Sequence, residues 1–136
     1  MNQPEAQETS VKQAKGIPQG LDLGHQKTLH GMFFTQAERF GEAPLLHARH
    51  EGGWSDVSWA EAADTARRLA SALTALGIKP GDRVVLVSEN RPEWAIAELA
   101  ILAAGAIAVP AYITNTTADH THVLTDSGAA AAIVST

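Results

Sequence analysis

The chain has 136 residues, with 10 Lys+Arg against 15 Asp+Glu, six His, no Cys and a net charge of −5. That length suits one domain or a piece of a larger one, since single domains run to about 100–200 residues. The acidic balance leaves no basic footprint for nucleic acid, and without Cys there is no disulfide frame, thiolate metal site or Cys nucleophile. Apolar residues make up 45% of the chain, 25 of them Ala, which describes a soluble globular domain and permits a reducing cytoplasm.

Met1 to Gly20 is rich in Gln, Glu, Lys, Ser and Pro and carries no apolar run. A signal peptide needs an apolar stretch of about 7–15 residues, so none is expected. Residues 1–27 are expected to form a disordered polar leader, because they bury too little apolar surface to offset ordering entropy. From Thr28 the spacing of Leu29, Met32, Phe33, Ala37 and Phe40 predicts a helix ending at Gly41. Leu45 and Leu46, then Glu51-Gly52-Gly53, then Trp54 and Val57 predict a small β-hairpin.

Ser58-Trp59-Ala60-Glu61 has the form of a capping box, opening a helix whose face carries Ala62, Ala63, Ala66, Leu69, Ala70, Leu73 and Leu76. Gly77, Ile78 and Pro80 supply its stop: a left-handed position, an apolar contact and a residue that cannot continue the helix. The unbroken run Arg83 to Ser88 suits a strand buried on both faces. Pro92 then starts a helix to about Ala104 that buries Trp94, Ile96, Ala97, Ala100, Ile101 and Ala104. Ala106 to Val109 is a second strand that Pro110 is expected to stop. The stretch Trp94 to Ile113 holds one charge, Glu98, and approaches the roughly 20 apolar residues of a membrane span. Its Ala and Gly content, Pro110 and the break at Gly105 favour a buried α/β reading. Thr116 to Asp119 opens a helix closed by Gly128, and Ala129 to Val134 makes a third strand. The order β–α–β–α–β with short connections predicts an α/β fold with a parallel sheet and right-handed crossovers.

A phosphate cradle needs a Gly-rich turn at a helix N-terminus, yet Ser88-Glu89-Asn90-Arg91-Pro92 has no Gly, and Thr114-Asn115-Thr116-Thr117 has neither Gly nor Lys. The latter reads as a turn and helix cap. His120 and His122 lie about 200° apart around a helix and cannot chelate one metal from it. His47 and His50, three apart on a strand, face opposite ways, so all four read as solvated histidines. Ser127 lacks the Gly-x-Ser-x-Gly elbow, Asp82 reads as a turn residue, and Arg91, Glu93 and Glu98 read as a solvated charged face. The sequence therefore assigns no catalytic, cofactor-binding or metal-binding residue to this chain.

The wording of these elements nevertheless resembles the AMP-forming adenylating enzymes, which include acyl-CoA synthetases, luciferases and peptide-synthetase adenylation domains. Val57-Ser58-Trp59-Ala60-Glu61-Ala62 is similar to the first core motif, with Ala62 where Leu is commoner. Leu76-Gly77-Ile78-Lys79-Pro80-Gly81-Asp82-Arg83-Val84 is similar to the helix-to-strand turn, and Asn90-Arg91-Pro92-Glu93-Trp94 to the segment after that strand. Leu102 to Pro110 resembles the second core motif. Tyr112 through Thr114-Asn115-Thr116 to Leu124-Thr125-Asp126-Ser127-Gly128-Ala129 looks most like the long-chain fatty acid branch.

The resemblance covers about Thr28 to Thr136 and implies that 28–136 is part of the large N-terminal domain of an adenylating enzyme, with its sheet truncated. It implies a two-step reaction: a fatty acid carboxylate attacks the α-phosphate of ATP, and CoA then displaces AMP from acyl-AMP. ATP, Mg²⁺ and CoA are thus implied for the family, and a fatty acid as substrate. The family's phosphate loop, its Mg²⁺ and adenine segment, its ribose-binding Asp and its C-terminal Lys have no counterpart here. The expectation is an amino-terminal piece, from a truncated or split gene or an incomplete sequence, that is inactive alone. Two other readings stand beside it: a free-standing or split-partner interaction module completed by a downstream chain, and a small flavodoxin-like nucleotide-binding domain. A strand at the final residues would leave an uncovered sheet edge, which accords with truncation and with self-association.

Overall fold

The computed structural model describes residues 27–135, so the expected leader lies, but for Lys27, outside the described residues. The first apolar stripe forms α1 (Leu29–Phe40), with Thr28 Oγ1 accepting from the Gly31 N–H at 3.1 Å. The hairpin is β1 (Pro44–His50) and β2 (Gly53–Ser58), antiparallel about the turn Glu51–Gly52. Ser58 caps α2 (Trp59–Ala75) by accepting from the Glu61 N–H at 3.1 Å. Then follow β3 (Arg83–Val87), α3 (Pro92–Ala103), β4 (Ile107–Ala111), α4 (Thr117–Ser127) and β5 (Ala131–Val134).

Both α2 and α3 end as their Gly residues dictate. Ile78 N–H reaches back to Leu73 O at 3.1 Å, and Ala106 N–H to Ile101 O at 3.1 Å. These bonds, with Gly77 and Gly105 at positive φ, close each helix. After Gly105 the chain enters β4 at Ile107, whereas a turn at Lys79–Asp82 separates the end of α2 from β3.

The three later strands form one parallel sheet in the order β4-β3-β5. Central β3 pairs Val85 with Val109 on one side and with Ala132 on the other. Val84 and Leu86 face α2 and α3, packing with Leu73, Ile78, Ala97, Ile101 and Ala106. A second cluster joins α1, α2 and α3 through Phe33, Ala37, Ala62, Ala63, Ala66, Ile96 and Ala100, with Leu45, Leu46 and Val57 of the hairpin packed against it. Small residues on α2 and α3 let the two helices approach closely, and Phe33 and Phe40 pack on Trp59 at 5.8 and 5.2 Å between ring centroids. No helix among the described residues is long and apolar enough to cross a membrane.

The structure corrects four local expectations. Pro110 does not stop its strand: β4 runs on to Ala111, with Pro110 opposite Leu86. β4 is an edge strand, where a missing N–H breaks no ladder. Leu76, read as a core position, is 82% exposed because it falls at the C-cap, where the chain leaves the helical phase. Leu29, at the start of α1, is exposed as well. Trp94 and Ala104 are only partly buried.

Conversely, polar Gln36 is buried on the core face of α1, and its Oε1 has no hydrogen-bond partner. An unpaired buried polar atom is costly, so Gln36→Leu is expected to stabilise the fold by about 1 kcal/mol. A rise in the urea midpoint with an unchanged slope would show it; a fall would mean that the amide has a partner in solution.

Candidate functional site

In a parallel sheet every strand's carboxyl end lies along one edge, and the opening sits where successive connections leave in opposite directions. Here α3 carries the chain from β3 to β4, whereas α4 carries it back across β3 to β5. The carboxyl ends of β3 and β5 therefore flank a crevice of about 260 Å³, lined by Ser88, Arg91, Trp94, Ile133, Val134 and Ser135. Glu89 closes one end by accepting from the Ser135 hydroxyl at 2.6 Å. That bond holds the Glu89 carboxyl below its ordinary pKa. Ser135 N–H also donates to Val87 O at 3.0 Å, which ties the chain after β5 to the end of β3.

Next to it lies a wider, open groove of about 820 Å³ between the hairpin and the loop from β3 to α3. His47, Arg49 and Trp54 form one wall, and Asn90, Arg91 and Trp94 the other. Arg91 does not reach Glu98. It is forked on Glu93, Nε to Oε2 at 2.8 Å and Nη2 to Oε1 at 3.2 Å, and this pairing raises its pKa. Both partners stand in solvent, as the charged-face reading expects.

The other candidate residues are placed as follows. Asp82 Oδ2 accepts from the Lys79 N–H at 2.8 Å, a turn role. Ser127 Oγ donates to Val123 O at 2.6 Å, back along its own helix. Thr116 and Asp119 make the complete capping box: Asp119 Oδ2 accepts from the Thr116 N–H at 2.9 Å, and Thr116 Oγ1 from the Asp119 N–H at 3.3 Å. The Thr116 bonds depress the Asp119 pKa. His120 and His122 lie on α4, and no group of three or more His, Cys, Asp or Glu among the described residues could hold a metal ion.

The sequence reading missed one pair. His47 Nδ1 lies 2.6 Å from Asp56 Oδ1 across the hairpin, both side chains exposed. The signal was present: a two-residue turn at Glu51–Gly52 pairs His50 with Gly53, and so places His47 opposite Asp56 and Arg49 opposite Trp54. The site thus offers hydroxyls, one Arg and two carboxylates, Glu93 forked with Arg91 and Glu89 bonded to Ser135. It has neither a Gly-rich cradle nor clustered carboxylates. These residues do not fit nucleotide phosphates or Mg²⁺.

A helix, a hairpin and a three-stranded parallel sheet flanked by helices define an α/β domain. Residues 33–136 match the model of the AMP-binding enzyme family, and the chain belongs to that family. It is 38% identical over 113 residues to the long-chain-fatty-acid–CoA ligase FadD15 of Mycobacterium tuberculosis, covering 83% of this chain and 19% of that protein. It is 40% identical over 84 residues to the phenyloxazoline synthase MbtB of Mycolicibacterium paratuberculosis, covering 62% of this chain and 7% of that one. Among solved structures, the N-terminal subdomain of Klebsiella oxytoca NpsA in complex with 3-hydroxyanthranilyl-AMSN superposes with a TM-score of 0.73 at 26% identity. That likeness covers 80% of this chain and 27% of the NpsA chain. The fold expected from the sequence, a helix and hairpin followed by a parallel βαβαβ unit of an adenylating enzyme's N-terminal part, is the fold observed.

Proposed function

We propose that this chain is the opening part of an AMP-forming acyl-CoA synthetase that acts on a long-chain fatty acid. The observation that carries the reading is the 38% identity to FadD15 across 83% of the chain. The reaction would consume ATP and CoA with Mg²⁺ and belong to fatty acid metabolism, and the same reading puts the protein in the cytoplasm, where both are available. The helices and half-sheet would be scaffold for the reaction, since transition-state charge on a transferring phosphoryl group needs preorganised donors. Those donors are not among the residues of the site. The 136 residues alone are therefore proposed to be without adenylating activity.

Fatty-acid-dependent ATP–pyrophosphate exchange is the test. The purified chain is expected to give background exchange only, and exchange above background would overturn its proposed inactivity. Linked to a polypeptide that supplies the family's phosphate loop, it is expected to support exchange driven by long-chain acids. A second reading rests on the likeness to the phenyloxazoline synthase MbtB and to NpsA, the latter solved in complex with 3-hydroxyanthranilyl-AMSN. Exchange driven by aryl acids and not by fatty acids would select it.

A further inference from the structure

We draw no further inference here: the strongest candidate, the open groove between the hairpin and the loop from β3 to α3, with Trp54 on one wall and Trp94 on the other, carries nothing because Arg91 and Glu93 are forked on each other and nothing in the structure shows what covers it.

Discussion

Replacing Leu86 by Ala is expected to lower the stability of the folded chain by about 2–5 kcal/mol. Leu86 is 1% exposed and lies in the central strand, between Pro110 and Ile133 in the ladder. Its side chain belongs to the cluster that holds α2 and α3 on the sheet, with Leu73, Ile78, Ala97 and Ile101. Truncation removes three carbons from the middle of that cluster, and a backbone paired on both sides cannot collapse to fill the space. Because domains of this size are stable by only about 5–15 kcal/mol, the variant should show a large drop in urea midpoint. Leu76→Ala is the matching control. It deletes the same atoms from a side chain that is 82% exposed and should change stability by less than about 0.5 kcal/mol. Equal effects would mean that the cluster is looser than the packing indicates.

That contrast also shows what could be read from the sequence. Both leucines fit an apolar pattern, but Leu86 lies in a strand buried on both faces, whereas Leu76 falls at the C-cap of α2. Within elements the pattern was reliable. Val84 to Val87 is an unbroken aliphatic run because β3 is buried on both faces, and Gly77, Gly105 and Gly128 each mark the end of a helix. The family resemblance was legible because its motifs sit at these same junctions.

What the sequence left hidden is set by contacts between distant residues. Pro110 reads as a stop unless β4 is known to be an edge. Gln36 reads as surface unless the packing of α1 is known. The Glu89–Ser135 bond that closes the crevice joins residues 46 apart, and neither side chain signals the other. The site could be read only as a set of absences. The chain spans 19% of FadD15.

Arg83 and Gly128 supply the second large effect, and its form is non-additive. The Arg83 guanidinium donates to Ser127 O, Gly128 O and Gly81 O, at 2.8, 2.8 and 3.1 Å. It thereby satisfies two carbonyls left over at the end of α4 and places a cation at the negative end of that helix. Arg83→Met keeps much of the stem but loses these bonds, and is expected to cost about 2 kcal/mol, within the range for hydrogen bonds to a charged group. Gly128 has φ +58, which costs a side-chain-bearing residue about 1–2 kcal/mol. A Cβ there would also stand 3.0 Å from Arg83 Nη2, so Gly128→Ala displaces the same guanidinium. Once Arg83 is Met, that second part of the penalty has no partner. The double variant should therefore be less destabilised than the sum of the singles, by about 0.5–1 kcal/mol in a urea double-mutant cycle. Strict additivity would mean that the guanidinium swings aside at no cost and that α4 is held at its end by packing alone. A coupling of the expected size would establish one side chain as the link between α4 and β3.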